Sequence, residues 1–348
     1  MNKPNLERMV DFVASRGGTV RFDEYMGEHI LGEGGFYSQK VNIGVDGHFV
    51  TYADRPPFIW LVYIILKHEG LLNKQFLEIG GGSGKFKEFF RQFSSVTEYI
   101  SVEASPRLAL AQSRFGGITH VGKAENLPLK DNSLEGVIFG NELLDELPCR
   151  VFMISNSRGE LSINQEGYVR ADNGQLVFGY SKAQRDDFLE LYESFLRGSR
   201  PDVPSQSIIS VSPGMPVAIS EMGRVLKKGK ILLIDYGYWN AHDQDKPRDE
   251  QPFFIRNGTQ YFVDSVLQKP YETDLTHSVD FEFARWHAAR TGLFSTINVM
   301  YMEDFAKRML AKKLTPDDVR KLASTNTLIE AFQTYFSSSV GVLEMDKR

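Results

Sequence analysis

One cysteine, Cys149, stands in 348 residues. A single thiol cannot close an internal disulfide and cannot build a zinc cage of several thiolates, so redox-stapled and multi-cysteine metal classes are excluded. Long apolar runs are equally scarce. The longest, Phe58 to Leu66, falls well short of a bilayer. It follows Pro56-Pro57 and reads as a buried helix with proline in its first turn. A basic excess is missing as well. With 40 Lys and Arg against 45 Asp and Glu, the formal charge is -5, which gives no electrostatic footprint for nucleic acid. The start, Met1-Asn2-Lys3-Pro4-Asn5, has no apolar signal region, and Glu7 and Asp11 are wrong for an Arg-rich transit peptide, so a cytoplasmic protein is expected. No internal repeat and no low-complexity tract interrupts an ordinary globular composition.

What the sequence does have is Phe76-Leu77-Glu78-Ile79-Gly80-Gly81-Gly82-Ser83-Gly84-Lys85-Phe86. An apolar strand runs into a glycine turn and then a helix, whose first N–H groups lack intrahelical partners. Glycines at 80, 82 and 84 let the chain double back at the strand's carboxyl end and leave bare backbone for a ligand. A phosphate-binding loop ending at Gly84-Lys85 would need its first glycine at Ile79 and its hydroxyl at Phe86, so it is excluded. A dinucleotide fingerprint would need a third glycine at Lys85, which weakens that reading. Glu78, two residues before the first glycine, would repel a pyrophosphate and attract a cation.

Glu-x-Gly-x-Gly-x-Gly resembles the first motif of the class I S-adenosylmethionine (SAM) methyltransferases, and that resemblance implies that Glu78 receives the methionyl ammonium. Tyr99-Ile100-Ser101-Val102-Glu103 alternates like a second strand and ends about twenty residues on in a carboxylate suited to a ribose diol. After a third short strand, Ala124 and Glu125 would line the adenine, although Glu125 reads equally as a solvated loop charge. A fourth strand, Gly136 to Gly140, ends at Asn141, and a fifth, Ile231 to Asp235, follows a Lys227-Lys228-Gly229-Lys230 turn. Strands separated by helical segments predict a mostly parallel, doubly wound α/β sheet, and the resemblance implies that it is of the Rossmann-like class I type. The expected SAM contacts are Glu78, Gly80, Gly82, Gly84, Glu103, Ala124, Glu125 and Asn141.

Around this half the sequence predicts a helical and loop block over residues 1–56. Within a methyltransferase domain spanning 57–348, it places an inserted segment over about 149–216 and a C-terminal elaboration over about 239–348. The insert reads as two β-hairpins and a helix from Ala183 to Leu196, followed by an exposed loop over 200–205. Beyond a polar loop at 242–251, a helix from near Asp280 to Gly292 and further helical segments to the C-terminus are expected.

Several separate strings resemble one family, the MidA-like methyltransferases, which include the mitochondrial complex I assembly-factor arginine methyltransferase. Val102-Glu103-Ala104-Ser105-Pro106-x-Leu108-x3-Gln112 resembles its second-strand motif, and Asn141-Glu142-x2-Asp145-x-Leu147-Pro148-x3-Phe152 its signature after strand four. Ile234-Asp235-Tyr236-Gly237-Tyr238, Asp274-Leu275-Thr276-x2-Val279-Asp280-Phe281 and Gly47-x-Phe49-x-Thr51 complete the set. The departures fall on the acceptor side: His48 replaces an acid, Tyr52-Ala53-Asp54-Arg55 replaces an acidic string, and the usual histidine before Val-Asp-Phe is displaced to His277.

The resemblance implies methyl transfer to an arginine side chain of a protein or peptide. Such a reaction calls for no metal. A guanidinium stays protonated, so carboxylates must hold its planar fork and free one nitrogen lone pair. Glu142 and Asp145 are the candidates, with capping of the following turn as the competing role. His277, or His48, could act as a base on a hydroxyl acceptor. Asp280 reads as a helix N-cap, and Tyr236 and Tyr238 either wall the acceptor pocket or simply pack. A small-molecule methyltransferase acting at oxygen, and a SAM-binding assembly factor with little turnover, are the rival readings. Neither a nucleic-acid nor a membrane partner is expected.

Overall fold

In the computed structural model, residues 4–39, 51, 53, 56–157, 160–199, 207–238, 252–256, 259–310, 315–316 and 340–348 are described. His48, the segments 200–205 and 242–251 for which loops are expected, and most of 311–339 lie outside them. The chain begins with α1 (Asn5–Ser15), β1 (Thr19–Arg21) and α2 (Phe22–Leu31), then reaches α3 (Pro56–His68), which opens on proline as expected. An alternating series follows: β2 (Gln75–Ile79), α4 (Lys85–Phe93), β3 (Glu98–Glu103), α5 (Pro106–Ser113), β4 (Ile118–Val121) and β5 (Leu134–Asn141). The insert contributes β6 (Arg150–Ser157), β7 (Glu160–Asp172), β8 (Gln175–Lys182), α6 (Asp187–Ser199) and β9 (Ser207–Val211). After these come α7 (Gly214–Val225), β10 (Leu226–Tyr238), β11 (Phe253–Arg256), β12 (Thr259–Phe262), α8 (Val263–Leu267), β13 (Val279–Asp280), α9 (Phe281–Thr291), β14 (Thr296–Tyr301), α10 (Met302–Leu310) and β15 (Val340–Lys347).

These elements form two compact units. The first comprises 1–41, 144–215 and 239–286, and the second 42–143, 216–238 and 287–348.

In the second unit one sheet has the order β14-β15-β10-β5-β2-β3-β4. The five strands β10, β5, β2, β3 and β4 are parallel to their neighbours, while β15 pairs antiparallel with both β10 and β14. This is the expected mostly parallel α/β sheet. One face is covered by α3, α4 and α10. Phe76, Phe86, Phe90 and Phe139 form the centre of that core, with ring centroids 4.7 Å apart for Phe76 and Phe90 and 4.6 Å for Phe86 and Phe139. Each buried phenyl is worth about 1.5–3 kcal/mol, and the stack fixes α4 on the sheet directly behind the glycine turn.

The first unit holds a second, antiparallel sheet of order β1-β7-β6-β9, with β8 paired to β7. The β7–β8 hairpin turns at Asn173-Gly174, both with positive φ, as a two-residue turn matching strand twist requires. Strand β1 from the N-terminal block pairs with β7 of the insert. Both segments share a core of Met9, Val13, Phe22, Met26, Val151 and Val169.

Three expectations need correction. The segment Lys227 to Lys230 is not a turn but the bulged start of β10, with a register shift between Leu226 and Lys228. Gly229 at φ +135° lets its backbone approach Gly136 O, where a Cβ would stand only 1.9 Å away. The insert's helix starts at Asp187 rather than Ala183, because Ala183 N–H donates to Asn164 O and Asp186 Oδ1 caps Leu189 N–H at 2.9 Å. The C-terminus is a strand, β15, rather than a helix. Val340, Val342, Leu343 and Met345 are all buried, so both faces are apolar and no alternation marks the strand. Its buried Glu344 accepts from Lys230 and from Arg308 at 3.0 Å.

Candidate functional site

Parallel strands bring their carboxyl ends to one edge, and there the second unit collects its polar residues. Ile79 pairs in register with Val102 on β3 and with Gly140 on β5, so the segments that follow these strands emerge side by side. Gly80, Gly82 and Gly84 have φ of +71°, +51° and +80°, which only glycine adopts without strain. Gly80 N–H donates to Val102 O at 2.9 Å, and Gly84 N–H to Gly81 O at 2.9 Å, closing the turn onto α4. A Cβ at Gly81 would stand 2.7 Å from Glu78 Oε2. The Glu78 carboxyl therefore lies directly beneath bare backbone.

Glu78 is 2% exposed. Burial pushes its pKa up to about 7, against the opposing effects of the Tyr99 hydroxyl, which donates to Oε2 at 2.9 Å, and of Lys87. Lys87 is itself buried, donates to Thr119 Oγ1 at 3.0 Å and lies over the Tyr99 ring. Glu103 ends β3 with its carboxylate facing the turn. Oε2 accepts from Gly82 N at 3.1 Å and from Gln112 Nε2 at 3.0 Å, and Oε1 accepts from Ser105 N at 3.0 Å. Burial raises its pKa while these donors hold it down. Ala124, buried, and Glu125, half-buried, are the central residues of a turn closed by Asn126 N–H on Lys123 O at 3.1 Å.

Asn141 ends β5, and Glu142 follows it with φ +48°, a left-handed conformation that costs a non-glycine residue of order 1–3 kcal/mol. The surroundings over-determine it. Glu142 N–H donates to Ile234 O at 2.9 Å and Leu143 N–H to Asp235 Oδ2 at 3.0 Å. Its Oε1 accepts from Thr51 Oγ1 at 2.8 Å and Asn141 Nδ2 at 2.9 Å. Thr51, Tyr99, Gln112 and Asp235 thus join the site without having been singled out in the sequence. Thr51, Gln112 and Asp235 sit inside the strings that resemble the MidA-like motifs, the one signal that points to them.

Asp145 and His277 lie in the first unit. Asp145 is 5% exposed; its Oδ2 accepts from Thr276 Oγ1 at 2.8 Å, and its carbonyl accepts His277 N–H at 3.1 Å. Burial pushes the His277 pKa down to about 4, and its Nδ1 lies 3.1 Å from Ser278 O. The ring is therefore neutral at pH 7. In the same unit burial and the carboxylates of Asp274 and Asp145 raise Glu146 well above the usual range, and burial raises Asp274, whose Oδ1 accepts the Tyr37 hydroxyl at 2.7 Å. Asp280 is a cap, accepting Phe283 N–H at 3.1 Å. Of the acceptor-side candidates, Glu142 belongs to the cofactor-edge cluster of its unit, whereas Asp145 and His277 are joined through main-chain and Thr276 contacts in theirs.

A seven-stranded order with one antiparallel strand beside the parallel series, carrying a glycine turn after its central strand and an acid after the next, defines a class I SAM-methyltransferase architecture. A Cβ would stand 2.9 Å from Leu143 Cδ1 at Gly80, 2.6 Å from Glu78 Cδ at Gly81 and 3.0 Å from Phe115 Cδ2 at Gly84, so the turn requires bare backbone over a buried carboxyl, a donor set compatible with that cofactor. Residues 60–299 match the model of the family described as "Putative S-adenosyl-L-methionine-dependent methyltransferase", and the chain belongs to that family. The MidA-like resemblance and the SAM-dependent enzyme class are thereby borne out. Among solved structures the chain is similar to a Burkholderia thailandensis protein bound to S-adenosyl-homocysteine, with a TM-score of 0.74, 19% identity and coverage of 100% of this chain and 95% of that one. It is also similar to a native crystal structure of a superfamily protein from the same organism, with a TM-score of 0.73, 17% identity and coverage of 100% and 94%. At these identities the likeness speaks for the fold. No curated protein matches the sequence. No helix among the described residues is long and apolar enough to cross a membrane.

Proposed function

We propose that the protein methylates an arginine side chain of a protein or peptide, with Glu142 as the carboxylate that handles the guanidinium. The observation that carries this reading is the strained Glu142. A carboxylate held in the left-handed region by Ile234 and Asp235, and aimed by Thr51 and Asn141 at the carboxyl end of a parallel strand, is costly to keep for capping alone. Bound SAM supplies a methyl group made electrophilic by its sulfonium. The chain's part is to bind, orient and exclude water. Glu78 would receive the methionyl ammonium, the glycine turn the methionyl chain and Glu103 the ribose diol, with Ala124 and Glu125 lining the adenine. Glu142 would hold the planar fork and take up the proton that the guanidinium gives up. His277, buried and neutral, adds no observation in favour of a hydroxyl acceptor.

The test uses labelled SAM and an arginine-rich peptide. Wild type should label the peptide, and Glu142→Ala should lose turnover by about 100-fold or more while its SAM affinity is unchanged. A fully active Glu142→Ala protein rejects the assigned role. Label on a small hydroxyl compound and none on peptide rejects the arginine acceptor.

A further inference from the structure

Gln112, near the end of α5, is completely buried, and its contacts go to the glycine turn and to Glu103. Its Nε2 donates to Gly82 O at 3.1 Å and to Glu103 Oε2 at 3.0 Å. Two acceptors on one amide group identify that group as the nitrogen, so the orientation of the side chain is settled by its partners. Gly82 N–H donates to the same Glu103 oxygen at 3.1 Å. The peptide units of Gly82, the carboxylate and the amide therefore form a closed ring of hydrogen bonds, two of them charge-assisted. The stem of Gln112 also occupies the space that a side chain at position 84 would need, since a Cβ there would stand 3.1 Å from Gln112 Cγ.

A purely packing role would be filled better by methionine or leucine. Gln112 Oε1 is buried with no hydrogen-bond partner, a cost that an apolar side chain of similar volume would not carry. The bonds at Nε2 must offset that cost, and what they join are the two parts of a nucleotide site.

We infer that Gln112 is a positioning residue for the cofactor: it ties the Glu103 carboxylate to the Gly82 turn, so that the ribose ligand and the backbone under the methionyl chain act as one preorganised piece. This rests on the reading of Glu103 as the ribose ligand. It also predicts how the effect is distributed. Loosening Gln112 should penalise the ribose hydroxyls selectively, because they alone read the direction of the carboxylate.

The experiment is calorimetric titration of full-length wild type and Gln112→Met with S-adenosylhomocysteine and with its analogue lacking both ribose hydroxyls. Wild type should prefer the natural ligand. Gln112→Met should bind S-adenosylhomocysteine about tenfold more weakly, the scale of one lost charge-assisted hydrogen bond, while its affinity for the analogue hardly changes, so the preference shrinks. An unchanged preference, whether both affinities fall or neither does, overturns the inference. Gln112→Glu keeps the volume and replaces the donor by a carboxyl group, and should shrink the preference in the same way if the methionine variant does not fold. A wild type that binds S-adenosylhomocysteine without preferring it to the analogue overturns the ribose role of Glu103, and one that binds neither overturns the cofactor assignment itself.

Discussion

The carboxyl ends of the parallel strands in the second unit and the Arg150 cluster in the first use charge in opposite ways. In the second unit, Glu78, Glu103 and Glu142 are each held by hydrogen-bond donors at the ends of parallel strands: Tyr99 for the first, Gly82, Ser105 and Gln112 for the second, Thr51 and Asn141 for the third. In the first unit the largest buried side chain, Arg150, is spent on structure. Its guanidinium binds Glu166 at 2.6 Å and Asp186 at 2.7 Å and stacks on Phe152 and Phe188. The lesson is that a buried carboxylate paired to a cation, like Glu166, marks architecture. One surrounded by neutral donors, as in the proposed cofactor site, has no cation of its own beside it and suits a cationic or polyol ligand.

The sharpest way to break this comparison is Gly82→Arg. At φ +51° an arginine is strained and fills the cofactor turn, so SAM binding should be lost by more than about 100-fold in calorimetry, while the circular dichroism spectrum stays that of the folded chain. Next in size is Arg150→Met, which leaves Glu166 buried without its cation; unfolding in urea should show a loss of about 3–5 kcal/mol. A loss below about 1 kcal/mol would remove the contrast between the units.

Glu78 sharpens the comparison through pH. Its pKa is raised to about 7 in the folded protein, above its value in the unfolded chain. Between roughly pH 4.5 and 7 the folded state therefore holds a proton that the unfolded state has lost, and stability falls as pH rises through that window. Glu78→Gln removes this slope, so the variant should gain stability relative to wild type from pH 5 to pH 8. A cationic ammonium favours the ionised carboxylate. SAM binding near pH 7 should then release protons from wild type and none from the variant, measured as the dependence of binding heat on buffer ionisation enthalpy. The smallest effect belongs to the exposed pair Arg285 and Glu282, where Arg285→Ala should change stability by less than about 0.5 kcal/mol.

The difference between the units also explains what could be read in the sequence. The glycine turn, Glu103, and the alternation of strands with helical segments are local patterns of a few residues, and the fold class they predict is the one observed. Gln112 and Tyr99 act across 30 and 21 residues, and Thr51 across 91, so their contacts exist only once the sheet has formed. The carboxyl pair of Glu146 and Asp274 is more remote still. Strand β15 was hidden for a different reason: buried on both faces and carrying an internal Glu344, it shows neither alternation nor an uninterrupted apolar run. The insert's helix begins four residues after Ala183 because a strand pairing at Ala183, which no local pattern announces, precedes its cap Asp186.

The most direct test of the central claim is calorimetric titration of the purified protein with SAM and, separately, with ATP and NAD. Saturable binding of SAM, with ATP and NAD giving no heat, is the result expected from an acid beneath a glycine turn that repels pyrophosphate. Binding of NAD or ATP without SAM would contradict the assignment of the turn, of Glu78 and of Glu103 together.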